Sequence, residues 1–317
     1  MFEWSKKGLV FETVRHGVGG WMHHSALTPT PYRIDDDLIR VYAGFRDGEG
    51  VSRIGYVEVR ADDPSIVVRV SAEPVLDIGR GGCFDDNGVI LGDIVEAPGG
   101  LHMFYVGFQR VAKAKFLAFT GLAVSSDGGQ HFSRTQETPI LDRAPGRSTI
   151  GAVHSVIREG NRWRIWYAAG DDWETMGGGS FPRYHIRYTE TDDLAALPRE
   201  DHVCLLPRGN EYRIGRPRVY RLGDKYVMYF TRGNLSGEYF PGMAYSDDGI
   251  AWERRDEDFG VTLSTSGWDS QVICYPALIR QRDKLLMFYN GNQMGVDGFG
   301  VAESARSPLD GGTDAYG

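Results

Sequence analysis

The sequence predicts an all-β protein, and more specifically a five-bladed β-propeller with four-stranded antiparallel blades. Three observations support this prediction: a pattern that repeats five times, many glycine-containing turns, and almost no helical periodicity. The chain has 317 residues, including 42 glycines, and hydrophobic residues make up 41%. This composition supplies enough apolar side chains for a large core, so it excludes a disordered or collagen-like chain.

Each repeat contains an apolar strand, a polar turn and a second strand that ends in aromatic and small residues. The second strands align on five aromatic residues, which are separated by 63, 62, 63 and 59 positions. These residues are Tyr42, Tyr105, Tyr167, Phe230 and Tyr289. A fixed spacing of this kind indicates a repeat architecture, and the five repeats account for nearly the whole chain.

A third strand follows in each repeat, because apolar residues alternate with small or polar ones there. These third strands are expected at 52–59, 119–129, 184–193, 241–249 and 298–304. Fourth strands are expected at 73–77, 138–142 and 203–207, and more weakly at 260–264. The fifth repeat lacks a fourth strand, and we expect residues 8–12 to supply it and close the ring.

The predicted organisation is therefore a single domain covering residues 1–317. Its blades are expected at 24–77, 88–142, 151–207, 213–264 and 273–304, the last one completed by 8–12. The sequence does not indicate an oligomeric state.

Charge and cysteine content exclude several classes of function. The formal net charge of −8 argues against nucleic acid or an anionic membrane surface as the main partner. Three cysteines without metal-ligand spacing argue against a disulfide framework or a zinc site. The first residues lack the apolar segment of a secretory signal, and no stretch reaches the ~18 apolar residues of a membrane helix. We expect a cytoplasmic protein without membrane insertion and without a cofactor. A structural cation in the channel remains an alternative.

The first strand of each blade is expected to line the central channel, with the preceding loop at its rim. The aligned aromatic residues place the starts of these strands at Pro29, Gly92, His154, Pro217 and Pro276. Asp85 and Asp269 lie seven residues before two of these starts, and Glu211 lies six residues before a third. Equivalent positions in separate blades would converge on one funnel, so these three carboxylates are the predicted catalytic set, with Asp86 as a rival to Asp85.

Paired carboxylates are what glycosidic cleavage needs. One protonates the leaving oxygen, and the other acts as base or nucleophile on the opposite side of the bond. A third carboxylate could orient its partner or raise the pKa of that partner. The pattern does not decide which of the three takes which role. The alternative is that each acid caps a turn or pairs with an arginine.

A further group of polar and aromatic residues is expected to bind the substrate. It contains His24, Arg46, Asp47, Asp93, His154, Arg216, Arg218, Trp268 and Tyr275. Arg216 and Arg218 could hold a sugar carboxylate or phosphate through forked hydrogen bonds, or they could neutralise Glu211 or Asp269. Trp268 could stack on a sugar ring, although a single tryptophan usually packs in a core or at a rim.

Several segments of the sequence carry a family resemblance. They include VYAGFRDGEGVSRIGYVEV, FDDNGVILGDIV, YHIRYTET, GRPRVYR and GWDSQVICYPALI. Over about residues 8–305 the chain resembles glycosidase-like proteins of bacterial surface-polysaccharide gene clusters. These proteins are similar to the five-bladed glycoside hydrolases of families 43, 32 and 130. The resemblance implies a glycosidase or transglycosidase that acts on a saccharide in the central funnel.

The residues expected from those families match this sequence in part. Family 43 uses acids in blades one, three and four, and the matching stretches here read TPTPYRI, GAVHSVI and RIGRPRV. The first two contain no acid, and Glu211 is the acid nearest the third. Family 130 uses one aspartate with arginine and histidine around phosphate, an outline that Asp93, Arg216, Arg218 and His154 fit. Two alternatives therefore stay open: a non-catalytic saccharide-binding or assembly protein, and a phosphorylase or transglycosidase.

Overall fold

The computed structural model describes residues 3–17, 19–236 and 238–304, which form twenty β-strands. The described chain begins with β1 (Trp4–Phe11). One group of strands contains β2 (His24–Arg33), β3 (Leu38–Arg46), β4 (Ser52–Arg60) and β5 (Val67–Val70). The next contains β6 (Val89–Ala97), β7 (Gly100–Gln109), β8 (Leu117–Ser125) and β9 (Ser133–Arg134).

The later strands follow the same order. A third group contains β10 (Ile150–Glu159), β11 (Arg162–Met176), β12 (Gly179–Thr191) and β13 (His202–Leu205). A fourth contains β14 (Glu211–Leu222), β15 (Lys225–Asn234), β16 (Tyr239–Ser246) and β17 (Glu253–Arg254). The last contains β18 (Cys274–Gln281), β19 (Lys284–Asn290) and β20 (Phe299–Ser304). Consecutive strands within each group pair antiparallel, and β1 pairs antiparallel with β20.

In the part of the chain that the structure describes, helical structure is limited to single turns. They are α1 (Thr13–His16), α2 (Asn292–Gly295) and two 3-10 turns at Gly20–Met22 and Asp256–Phe259. None of the helices in the described ranges has the length and apolar character to cross a membrane.

The fourth strands differ from the sequence prediction. Only 203–207 matches an observed strand, β13, whereas 260–264 lies outside any strand. The segments 73–77 and 138–142 each make a single bridge, from Leu76 to Ile54 and from Leu141 to Thr120. Each of these two segments contains a proline, which lacks the N–H that a longer ladder would need. The outer strands form a few residues earlier instead.

The first strands of the five groups contact one another in order. β2 contacts β6, which contacts β10, which contacts β14, which contacts β18, and β18 contacts β2. Hydrogen bonds join consecutive members: Val156 donates its N–H to Asp93, and Val219 donates its N–H to Ser155 Oγ, at 3.0 Å. These strands therefore surround a common centre, and we refer to them as the inner strands.

The apolar core lies between neighbouring groups of strands. The five aromatic residues that align the repeats are all fully buried, so the repeat pattern marks core positions. Phe11 and Phe299 stack 5.8 Å apart, which packs β1 against the last group. Burying an aromatic or aliphatic side chain of this size contributes roughly 1.5–3 kcal/mol, so the core residues hold adjacent groups together.

Every inner strand carries a break in its register at the same place. The breaks lie between Leu27 and Thr30, Leu91 and Asp93, Val153 and Ser155, Gly215 and Arg218, and Cys274 and Ala277. Pro29, Gly92, His154, Pro217 and Pro276, which were predicted to start the strands, lie at these breaks instead. That prediction was wrong because a β-bulge accepts proline and glycine inside a strand.

Candidate functional site

The bulges turn four side chains toward one central cavity. Thr28, His154, Arg216 and Tyr275 all line it, and each lies in the bulge of a different inner strand. Thr28, Arg216 and Tyr275 have positive φ angles of 56°, 54° and 55°. A residue other than glycine in this conformation costs roughly 1–2 kcal/mol, and such strain is concentrated at functional sites. We refer to these four residues as the cavity floor.

Glycine replaces a side chain in the remaining bulge. A Cβ on Gly92 would lie 2.3 Å from the carbonyl oxygen of Val153 and 2.7 Å from that of Phe104. The second inner strand therefore approaches its neighbour too closely to present a side chain, and the other four supply the floor.

The cavity has a volume of about 700 Å³, within the range of about 300–1,000 Å³ typical of small-molecule sites. Its wall is apolar and is formed by residues such as Leu27, Ile90, Val106 and Ile150. The turns between second and third strands supply its rim. These turns contribute Glu49, Arg110, Lys115, Phe116 and Met294, and the adjoining starts of β12 and β16 contribute Phe181 and Tyr239. All five groups of strands therefore contribute to one cavity.

Arg216 and His154 are in contact at the floor. Arg216 Nη1 lies 3.1 Å from His154 Nδ1 and donates a 2.5 Å hydrogen bond to the Leu91 carbonyl. Burial lowers the pKa of His154 well below its ordinary value, and the charges of Arg216 and Arg218 lower it further. The imidazole is therefore neutral, and its Nδ1 accepts from Arg216. Burial also lowers the pKa of Arg216, to about 9, with a contribution from Arg218.

A buried ion pair lies further along the inner strands. Arg218 Nη1 is 2.5 Å from Asp93 Oδ1, and its other nitrogen donates to Thr30 Oγ1. Asp93 Oδ2 also accepts the N–H of Val156 at 2.8 Å. Arg218 thus joins three of the five groups of strands. It neutralises Asp93. Among the ion pairs of the described residues, Glu211 and Asp269 pair with other basic residues and not with Arg216 or Arg218. The alternative that these two arginines neutralise Glu211 or Asp269 is therefore wrong.

The three predicted catalytic acids share a different arrangement. Asp85 pairs with Arg134 at 2.7 Å, Glu211 with Arg254 at 2.5 Å, and Asp269 with Lys6 at 2.6 Å. In each pair the basic residue lies on the outermost strand of the same group: β9, β17 or β1. Each acid is at least nine-tenths buried at its side chain. The three positions are therefore equivalent: each acid, at or just before the start of its inner strand, pairs with a basic residue of the outer strand.

None of these three acids lines the central cavity. The pKa of Glu211 is affected first by burial, which raises it, but hydrogen bonds from Arg254 and others lower it below its ordinary value. Burial also raises the pKa of Asp269, but hydrogen bonds, above all the one from Lys6, lower it below its ordinary value. Asp86, the rival candidate, accepts the N–H of Gly82 at 2.8 Å. A catalytic role for these acids stays a prediction, and their contacts favour a role in holding the strands together.

Four of the nine predicted substrate-binding residues line the cavity, one holds its rim turn, and four lie outside its lining. Arg46, His154, Arg216 and Tyr275 line the cavity. Asp47 accepts the N–H groups of Glu49 and Val51 at 2.9 and 3.0 Å, so it holds the rim turn in place.

Four other predicted residues lie outside the cavity lining. Asp93 and Arg218 form the buried pair described above. His24 Nδ1 lies 2.9 Å from Ser25 Oγ. The Trp268 ring lies 5.0 Å from that of Tyr289, in the core of the last group, because Gly291 and Gly300 leave room for it.

Several cavity residues were missed by the sequence analysis. They are Phe108, Arg110, Lys115, Phe116, Phe181, Tyr184, Arg213 and Tyr239. A signal for some of them was present: residues 108–116, from the end of β7 to the start of β8, read FQRVAKAKF, with aromatic residues at both ends and basic ones between. The hairpin of β11 and β12 is also long, at 15 and 13 residues, and carries Phe181 to the rim.

Metal-ligating side chains are not clustered in the described ranges, where no group of three or more His, Cys, Asp or Glu residues could hold an ion. The cysteines Cys83, Cys204 and Cys274 are all free thiols.

No protein-family model matches the chain. The uncharacterized protein Rv1502 of Mycobacterium tuberculosis (strain ATCC 25618 / H37Rv) is 32% identical over 302 residues, covering 94% of this chain and 98% of its own length. The chain belongs to the Rv1502 family. The uncharacterized protein MT1551 of the CDC 1551 / Oshkosh strain matches at the same identity and coverage. Membership in the Rv1502 family thus extends over almost the whole chain.

Solved structures show which fold this chain shares. A glycoside hydrolase superposes with a TM-score of 0.69 at 17% identity, covering 98% of this chain and 94% of its own. A thermostable family-43 glycoside hydrolase gives 0.67 at 14%, covering 90% and 89%. The Bombyx mori GH32 β-fructofuranosidase BmSUC1 gives 0.61 at 13%, covering 88% and 60%. The predicted all-β, glycosidase-like propeller scaffold is confirmed by these likenesses, which at such identities concern the fold.

Proposed function

We propose that this protein binds a saccharide in its central cavity. The observation that supports this proposal is the combination of aromatic rings and hydrogen-bond donors around one space of suitable size. Tyr239 and Tyr275 lie 6.3 Å apart between ring centroids, and Tyr184 lines the same side. Apolar walls with a few fixed polar groups are typical of small-molecule sites, and aromatic faces suit the apolar faces of sugar rings.

The cavity lining argues against hydrolysis by paired carboxylates as its main chemistry. That reaction needs two carboxyl groups about 5–9.5 Å apart around the bond. Within the described ranges the lining contains one carboxylate, Glu49, which is exposed on the rim turn. We therefore favour saccharide binding without paired-carboxylate hydrolysis over the glycosidase that the sequence suggests.

A second candidate is transfer of a sugar to phosphate or to another acceptor. Arg216 beside a neutral His154 favours it, since a guanidinium can hold a phosphate and an imidazole can exchange a proton.

Replacing Tyr239 with alanine is expected to weaken saccharide binding about tenfold, because roughly 1.4 kcal/mol of stacking would be lost. The measurement is titration calorimetry against a panel of neutral and anionic mono- and oligosaccharides. Phe240→Ala is the matched control, since Phe240 is a half-buried neighbour on the same strand that does not line the cavity. Equal losses in both variants, or no binding by the wild type, would contradict the proposal. Sugar release that requires inorganic phosphate would favour the transfer reaction.

We also propose a single-domain organisation and a cytoplasmic location. Three free cysteines in the described ranges support the location, because thiols stay reduced in that compartment. The unbroken succession of inner strands supports the single domain.

A further inference from the structure

We propose that the cavity recognises an anionic group, a phosphate or a carboxylate, on its saccharide. This inference rests on the proposed function and names the class of its ligand. It concerns the side of the cavity formed by Arg213, Arg216, Tyr239 and Tyr275, which we call the basic side.

The charges around the cavity differ in sign from those of the whole protein. The chain carries a formal net charge of −8, yet the described lining contains five cationic side chains and one carboxylate. The cations are Arg46, Arg110, Lys115, Arg213 and Arg216. No carboxylate of the described residues lies within 4.0 Å of any of them, whereas most other arginines in that part of the chain are paired. A concave surface lined by one sign of charge attracts ligands of the opposite sign.

Arg213 shows that the basic side is built for a partner that the protein does not supply. Its side chain is 8% exposed, and its Nε is buried without a hydrogen-bond partner. The guanidinium lies 4.5 Å from the ring centroid of Tyr239 and 4.7 Å from that of Tyr212. These rings fix its position without neutralising its charge, so it can still pair with an anion.

Arg216 is held in a comparable way on the floor. It is also 8% exposed, its Nη1 is fixed by the Leu91 carbonyl, and its guanidinium lies 5.7 Å from the Tyr275 ring. Its neighbour His154 is neutral and adds no opposing charge. The Tyr239 and Tyr275 rings lie 6.3 Å apart, one beside the Arg213 guanidinium and the other beside that of Arg216, so a sugar ring and an anionic substituent could be recognised together.

Burying guanidiniums without carboxylates is costly, and the strained φ of 54° at Arg216 adds to that cost. A cation that only held the fold would be paired, as Arg218 is with Asp93 and Arg254 is with Glu211. The protein therefore keeps two buried arginines available beside aromatic rings, as expected for a site that takes an anion from solution.

The test compares ligands that share one ring and differ at one carbon. Glucose, glucuronate and glucose 6-phosphate carry a hydroxyl, a carboxylate and a phosphate there, and inorganic phosphate serves as the group without a sugar. Titration calorimetry on the full chain is expected to give glucuronate or glucose 6-phosphate at least about tenfold tighter binding than glucose. The preferred anion identifies the group that the cavity takes.

Arg213→Met and Arg216→Met are each expected to weaken binding of the preferred anionic sugar at least about tenfold, and so to remove most of its advantage over glucose. The two variants are independent, so misfolding of one leaves the other to decide. Arg158→Met is the control, because Arg158 also lies over an aromatic ring, that of Trp163, but outside the cavity. Equal affinities for glucose and both anions would overturn this inference and leave saccharide binding intact. Absence of binding by every probe would contradict both proposals.

Discussion

Replacement of Arg218 by methionine is expected to lower the free energy of unfolding by about 3–5 kcal/mol, the largest effect of any single change considered for this protein. Asp93 and Arg218 are 4% and 5% exposed, so removing the cation leaves a carboxylate buried without its partner. Asp93 must then remain charged in a poorly solvated place or take up a proton, and either outcome destabilises the folded state. The link to Thr30 is lost as well.

Urea denaturation of three variants measures this effect. Arg218→Met combined with Asp93→Asn is expected to regain part of the lost stability, because no charge stays buried and the asparagine oxygen can still accept one of the two backbone N–H groups that Asp93 accepts. Arg221→Met is the matched control, since Arg221 lies on the same strand in an exposed pair with Glu159 at 3.3 Å. We expect it to change stability by about 0–1 kcal/mol. If Arg218→Met lowered the free energy of unfolding no more than Arg221→Met, the pair of Arg218 and Asp93 would not stabilise the inner strands.

The amide variants Asp85→Asn, Glu211→Gln and Asp269→Asn are each expected to cost about 1.5–3 kcal/mol of stability and to leave saccharide affinity unchanged. Each removes the charge that its basic partner on the outer strand contacts. Glu211 is the most strongly engaged of the three, because it contacts Arg254 at 2.5 Å and Arg232 at 3.1 Å.

Thermal denaturation and calorimetric titration of the same samples distinguish the two roles of these acids. Glu49→Gln is the control, because Glu49 is an exposed carboxylate on the cavity rim that we expect to be dispensable for stability. If the amide variants instead kept full stability and lost turnover of a glycoside, the acids would be catalytic as the sequence suggests.

The fold could be predicted from the sequence because each repeat has a buried aromatic residue at the same place in its second strand. Tyr42, Tyr105 and their equivalents are fully buried on the second strands, so a spacing of aromatic residues reports a spacing of blades. The outer strands were placed less well, since an edge strand of two to four residues leaves little pattern. Residues 133–134 and 253–254, for example, carry no apolar alternation.

The site was harder to predict because proline and glycine were read as strand boundaries. Pro217 and Gly92 lie within strands, at bulges, so counting backwards from them led to Glu211 at the start of β14 and to Asp85 in the loop before β6. The residues at the bulges themselves, such as His154 and Arg216, reach the cavity. Arg213 and Tyr239 come together from separate strands, and no spacing along the chain shows that contact.

The most direct test of saccharide binding in the central cavity is a crystal structure of the protein soaked with glucose, glucuronate and a disaccharide. We expect the sugar ring inside the cavity, in contact with Tyr239 and Tyr275, with any anionic substituent on Arg213 or Arg216. A sugar bound against Asp85, Glu211 or Asp269, or on the outer surface of the blades, would contradict this account.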